Sequence, residues 1–185
     1  IVLIAPLLMN VVVRTMGWVL ILGRNGLINE TLKSWGFDEI PLLYTETAVL
    51  IGYVQVFLPF MVLSILASLQ TIDLNLLKAS TSLGATPLTT FREILLPLSL
   101  PGVLSGSVVV FSLSSGVFVL PVMLGGVKVQ VLSLIAYRQT VSSLNYPLGA
   151  ATAFLLLAIV LSIVFIVTRL LEKGRYREVF RRAAG

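Results

Sequence analysis

The chain has 185 residues, 57% hydrophobic and 11% charged, against roughly 25% charged in soluble domains. A soluble domain could not bury that much apolar surface, so an all-α polytopic membrane protein is predicted. Much of the +5 net charge sits in the tail "RLLEKGRYREVFRR" and is no nucleic-acid footprint, and the absence of Cys and His removes disulfides, thiolate metal sites and the commonest general base.

Four stretches approach the ~20 residues that a spanning helix needs. The first is about 1–22. Ile1 already lies inside an apolar run, with no Met and no signal-peptide n-region, so the chain reads as part of a longer protein. Arg14 is a charge inside this span, with Asn10 one turn before it and Trp18 one turn after, near one face. Two readings stay open. The face lines a polar pathway, or Arg14 snorkels to the exit at Gly23, roughly 13 Å away at 1.5 Å per residue.

The connection "GRNGLINETLKSWGFDEIP" (23–41) is polar and carries turn signals, with a short helix near Leu32. The second span, about 43–66, places Glu46 near its outer end and Tyr53 and Gln55 near its middle. Tyr53 and Gln55 fall on different faces, so at most one of them faces a pathway, and Glu46 reads as interfacial. Pro59 predicts a kink.

The loop 67–97 contains "KASTSLGATPLTTFREILLP". Leu74 to Leu83 suits two or three helical turns, and Gly84 stops them because glycine adopts left-handed angles cheaply. Thr86 caps a second short helix, and Pro87 fits its first position. That piece runs through Ile94 to Pro97, where the chain is expected to return to the membrane. The bend at 84–87 makes a compact knob, suited either to a partner's cleft or to resting on headgroups.

The third span, about 98–120, is rich in Gly and Ser. Gly102 and Gly106 form a G-x-x-x-G, which favours close helix packing over substrate binding. In "GGVKVQVLSLIAYRQTVSSLNYP" (125–147), the apolar residues Val131, Leu134, Ile135 and Tyr137 to Val141 suit an amphipathic interfacial helix. The fourth span is about 148–171, followed by a tail at 172–185. Lys78, Arg92, Arg169, Lys173, Arg175, Arg177, Arg181 and Arg182 fall on the side of loop 67–97 and the tail, against Arg24, Lys33, Lys128 and Arg138 on the other. Eight against four puts that loop and the C-terminus in the cytoplasm.

The loop resembles the cytoplasmic signature of ABC-importer permease subunits: Glu-Ala-Ala, three residues, Gly, nine residues, Ile-x-Leu-Pro. Here it reads Lys78-Ala79-Ser80, then Gly84, then Ile94-Leu95-Leu96-Pro97. Lys78 reverses the usual charge, and Ser80 replaces the second Ala. "LGATPLTTFREILLPLSLPGVLSG", "VVVRTMGWVLILGRNGLIN" and "LLYTETAVLIGYVQVFLPFMVLSILASLQTID" extend the resemblance to type I permeases (the MetI-like transmembrane domain), most similar to the spermidine/putrescine group.

The resemblance implies a six-helix fold, of which this chain supplies the last four as a single transmembrane domain, 1–185. It also implies a coupling loop formed by Lys78, Ala79, Ser80, Gly84, Ala85, Thr86, Pro87, Ile94, Leu96 and Pro97. The implied partners are two ATP-binding subunits, a second permease subunit and a periplasmic solute-binding protein, in a bacterial inner membrane. The formal sequon Asn29-Glu30-Thr31 would carry no meaning in such a protein. Polyamine permeases often show Gly-Asp-Phe-Val near the end of the third span. Here the run is Gly116-Val117-Phe118-Val119, which lacks the acid.

No G-x-x-x-x-G-K-[ST] phosphate loop is present. No catalytic residue, metal or cofactor is expected, and ATP hydrolysis is assigned to a partner. The expected function is a permease subunit for a small polar solute, a polyamine or related amine first. The alternatives are an ion-driven transporter or channel fragment, which predicts secure acidic residues in mid-membrane, and a membrane scaffold, which needs no polar pathway.

Overall fold

The computed structural model describes residue 7 and residues 9–173. Among these there is no strand. The elements are α1 (Val11–Leu22), α2 (Leu27–Ser34), α3 (Glu46–Gln70), α4 (Leu74–Ser82), α5 (Pro87–Thr90), α6 (Leu96–Gly116), α7 (Leu132–Tyr137) and α8 (Tyr146–Lys173). Wider π-helical turns occupy Phe91–Leu95, Pro121–Gly125 and Arg138–Ser142. Four helical stretches, Val11–Ser34, Glu46–Gln70, Pro87–Gly116 and Tyr146–Arg169, are long and apolar enough to cross a membrane.

The bounds differ from the expected ones for local reasons. Of the first span, residues 1–6 and 8 lie outside the described residues. The rest is not one unbroken helix: the chain bends at Met9, and α1 starts only after Asn10. The Asn10 side chain accepts from the Val12 N–H at 2.8 Å, at φ −57° and ψ 131°. A short amide competes well for a backbone donor, which favours a cap over a helix interior. Asn10 is therefore the N-cap of α1 and not a member of its helical face.

The second span begins at Glu46 rather than 43. Tyr44 takes a positive φ of 63°, and the Thr45 hydroxyl accepts from the Ala48 N–H at 3.2 Å. The helix runs on through Pro59 to Gln70, beyond the expected 66.

The third span departs most, and loop 67–97 is shorter than expected. Helical backbone starts at Pro87, not 98, and continues to Gly116, not 120. Pro97 does not separate loop from span. It brings no N–H to the Glu93 carbonyl and its ring crowds that carbonyl, but the preceding turn, Phe91–Leu95, is π-helical and absorbs the mismatch. The fourth span agrees within two residues at each end. The tail beyond residue 173, with Arg175, Arg177, Arg181 and Arg182, lies outside the described residues.

The chain forms two compact units, one of residues up to Pro59 with Leu113–Val160, the other of Phe60–Ser112 with residues from Leu161. In the first unit Leu22, Ala48, Val49, Val56, Phe57, Leu120, Leu124 and Leu134 are the buried apolar core. α1 packs on α2 and on the Pro121–Gly125 turn. Gly52 lets α3 approach that turn, since a Cβ there would lie 2.6 Å from Leu124 Cδ1 and 3.0 Å from Leu120 Cδ2. Leu134 of α7 is buried in this core, so α7 is packed on one side and is not only an interfacial strip.

In the second unit α6 packs on α3 through the G-x-x-x-G. A Cβ on Gly102 would lie 2.5 Å from Ser68 Cβ, 2.8 Å from the Ser64 carbonyl oxygen and 3.0 Å from Ile65 Cα. One on Gly106 would lie 2.8 Å from Met61 Sδ and 3.0 Å from Ser64 Cβ. The Ser68 hydroxyl donates to the Leu98 carbonyl at 3.3 Å. Packing is what these glycines do.

Candidate functional site

The candidate coupling loop is a helical hairpin with a cap at each joint. Only Thr71 and Ile72 separate α3 from Asp73, whose carboxylate accepts from the Asn75 N–H at 2.8 Å and starts α4. Lys78 and Ala79 are exposed on α4. Gly84 takes φ +78°, with its N–H donating to the Thr81 carbonyl and the Ala85 N–H to the Ser80 carbonyl, both at 3.0 Å. This pair of bonds is the Schellman arrangement that closes a helix at glycine. Thr86 then caps α5, its hydroxyl accepting from the Thr89 N–H at 3.3 Å, and Pro87 takes the first position.

The arms are tied by a buried pair. Ser80 Oγ and Thr90 Oγ1 lie 3.0 Å apart, and Ser80 Oγ also donates to the Leu77 carbonyl at 2.9 Å. Ser80 is the position where the motif usually has Ala. Thr90, unremarked in the sequence, is the reason a hydroxyl suits it. Between the arms runs a groove of about 410 Å³ lined by Leu76, Ala79, Ser80, Leu83, Ala85, Thr89, Thr90, Glu93 and Ile94. Leu83, at the tip, is 87% exposed. Leu96 and Pro97 stand outside the groove, exposed at the start of α6. The structure thus gathers Lys78 to Pro87 and Ile94 into one hairpin and leaves Leu96 and Pro97 on the helix leaving it.

Of the pathway candidates, Arg14 and Trp18 are half-buried on α1, one turn apart, and the Arg14 N–H donates to the Asn10 carbonyl at 3.1 Å. Thr15, beside Arg14, is buried, its hydroxyl on the Val11 carbonyl at 2.6 Å. Gln55 is half-buried on α3. The Tyr53 hydroxyl donates to the Val117 carbonyl at 3.1 Å, and its ring stacks on Phe57.

The Val117 carbonyl needs that donor. Pro121, four residues on, has no N–H to offer it. Residues 117–118 are non-helical, and Ser133 Oγ also donates to this oxygen at 3.3 Å. Phe118 stacks on Tyr137 at 4.3 Å between centroids. A proline four residues after Gly-Val was the available sequence signal for this joint. Tyr53→Phe alone leaves Ser133 in place and is expected to cost about 1 kcal/mol. Tyr53→Phe with Ser133→Ala strips the carbonyl and is expected to cost about 1–3 kcal/mol, more than the two single changes together. Thermal unfolding of the solubilised complex checks this.

The connection 23–41 is held by Asn29, which is 1% exposed. Its amide donates to the Gly23 and Ile40 carbonyls, each at 3.1 Å, and accepts from the Ile40 N–H at 3.0 Å. The sequon nitrogen is thus occupied and enclosed. Beside it Glu39 bridges Arg24 at 2.7 Å and Lys33 at 2.8 Å. The hydrogen bonds from Lys33 and then Arg24 hold its carboxyl down to about 2, from an ordinary 4.5. A depressed acid stabilises the fold above its unfolded value and loses that effect as pH falls through its folded value. Protease resistance of this connection is therefore expected to decline between about pH 4.5 and about 2, and Glu39→Gln is expected to remove that dependence.

The family model described as binding-protein-dependent transport system inner membrane component matches residues 1–175. The spermidine/putrescine transport system permease protein PotB of Escherichia coli is 34% identical over 177 residues, covering 92% of this chain and 64% of that protein. The inner membrane ABC transporter permease protein YdcU of Escherichia coli is 30% identical over 169 residues, covering 84% of this chain and 53% of that protein. The chain therefore spans less than two thirds of the length of these relatives. A bacterial alginate ABC transporter, solved in complex with an alginate pentasaccharide-bound periplasmic protein, superposes with a TM-score of 0.75 at 20% identity, over 91% of this chain and 62% of that one. That likeness bears on the fold alone, helical with several membrane-length helices. With its apolar helices, the chain is a multi-pass inner-membrane protein, and it belongs to the family of binding-protein-dependent transport system inner membrane components.

Proposed function

We propose that this chain is the membrane-spanning permease subunit of an ABC importer, a single transmembrane domain over 1–185 that shares an alternating-access pathway with a second, homologous or identical, permease subunit. ATP hydrolysis resides in two partner ATP-binding subunits docked on the hairpin of α4 and α5. A periplasmic solute-binding protein delivers a small polar solute to the connections 23–41 and 121–147. The likeness to PotB favours a polyamine or a related amine as that solute. The Lys and Arg distribution supports a cytoplasmic side for the hairpin and the C-terminus.

The observation that carries this reading is the continuity of the hairpin with the membrane. Helical backbone runs without a break from Pro87 at the bend to Gly116. On the other side only Thr71, Ile72 and Asp73 join the hairpin to α3. A force applied at Gly84–Pro87 therefore reaches two spanning helices with no slack loop to absorb it. Arg14, Trp18 and Gln55 are assigned to the pathway side, with Asn10 as the cap before them, while Tyr53, on another face of α3, holds the Val117 carbonyl.

The test is affinity purification of this subunit from cells expressing its native gene neighbourhood. An ATP-binding subunit is expected to co-purify, with ATPase activity that rises on adding the loaded solute-binding protein. Purification of this chain without any ATP-binding subunit would contradict the proposal.

A further inference from the structure

The connection after α1 folds back as a tight knuckle. Gly26 leaves no room for a side chain: a Cβ there would lie 2.5 Å from the Ile21 carbonyl oxygen and press on that of Leu20. Asn29 then ties Gly23 and Ile40 together. So α2 starts at the level of the last turn of α1 and does not stand off into water. On this knuckle three large apolar side chains are bare: Leu27 at 64%, Trp35 at 77% and Phe37 at 63% exposed. Gly36, at φ +81°, turns the chain between the two aromatics.

Glu39 sits between Lys33 and Arg24, and Glu30 and Asp38 are exposed beside them. α1 also carries an exposed apolar strip, formed by Val13, Met16 and Leu20. In a chain that is a multi-pass membrane protein, such a strip is lipid-facing unless another helix covers it. Bare Trp and Phe at the end of a span are the composition of the membrane–water boundary, where aromatic rings settle among headgroups.

We infer that the knuckle from Leu27 to Phe37 is a lipid-surface anchor, with Trp35 and Phe37 inserted among the headgroups of the leaflet at which α1 ends. The anchor fixes the depth of α1 and stands independently of the transport reading, since it needs only the membrane and the knuckle.

The test uses the assembled complex in vesicles of phosphatidylethanolamine and phosphatidylglycerol. This chain has no Cys, so Trp35→Cys and Phe37→Cys each carry one fluorophore when the other subunits are cysteine-free. Leu20→Cys is the lipid reference, and the fluorophore on a free thiol is the water reference. At 35 and 37, strong quenching by spin-labelled phospholipid and iodide quenching well below the water reference are expected, with or without the solute-binding protein. Iodide quenching near the water reference would overturn the inference. So would protection that appears only when the solute-binding protein is added, which would assign the face to that protein. The unsubstituted complex gives an independent readout: a photoactivatable phospholipid is expected to label the peptide holding Trp35 and Phe37, and its absence from that peptide overturns the anchor.

Discussion

Gly102→Val is expected to destabilise the protein by about 3 kcal/mol, the upper end of what overpacking costs. The reason is the identity of the neighbours. Two of the three atoms that a Cβ would meet, the Ser64 carbonyl oxygen and Ile65 Cα, are backbone, and the third is the Cβ of Ser68. None can swing aside by a rotamer change, so α6 must move away from α3. Separation would also lengthen the Ser68 to Leu98 hydrogen bond, already 3.3 Å. Gly106→Ala should cost less, because its nearest neighbour is the flexible Met61 sulfur. Gly17 is the control: a Cβ there meets nothing within 4 Å, so Gly17→Ala should be neutral or slightly stabilising. Thermal unfolding of the detergent-solubilised complex, followed by loss of the monodisperse peak, ranks the three.

The second large effect falls on activity. Gly84→Val is expected to abolish solute-stimulated ATPase while leaving the spanning helices assembled. Gly84 sits at φ +78°, where a branched side chain is strained. Its Cβ would meet nothing within 4 Å, so no core packing is lost. The strain, about 1–2 kcal/mol, falls on the two closing bonds from Gly84 and Ala85. The hairpin tip reshapes, and Leu83 and Pro87 lose the spacing that a cleft in the ATP-binding subunit would read.

Much of this hairpin was legible in the sequence, because its joints are local. Gly84, Thr86 and Pro87 act through backbone within a few residues, and the observed dihedrals and caps agree with the expected ones. The G-x-x-x-G was legible because its spacing alone puts two small residues on one helix face, although the helix it meets, α3, is distant along the chain. What escaped the sequence depends on partners distant along the chain. The Ser80 hydroxyl makes sense only beside Thr90. Tyr53 looked like a pathway residue, and its hydroxyl proves to be engaged by the Val117 carbonyl 64 positions away. Asn10 was read by helical spacing, but an amide near a helix start competes for the backbone, and spacing cannot show that. Pro97 misled in the opposite sense. It looked like a boundary, and a π-helical turn carried the helix through it.

On the proposed function, the continuity of Pro87–Gly116 is what would couple docking to transport through this subunit. A helix that starts at the bend and ends in the membrane transmits displacement along its length, whatever the solute. Lys78, where the motif usually has Glu, is exposed on α4 and takes no part in the hairpin's internal capping.

The most direct measurement is co-purification and ATPase of the complex carrying Gly84→Val, beside the unsubstituted complex. Loss of the ATP-binding subunit, or of the ATPase response to the loaded solute-binding protein, with this subunit still folded and no drop in thermal unfolding beyond the small strain at Gly84, is the predicted result. Full retention of both, with the substitution confirmed in the purified chain, would contradict the assignment of the 74–90 hairpin as the coupling element.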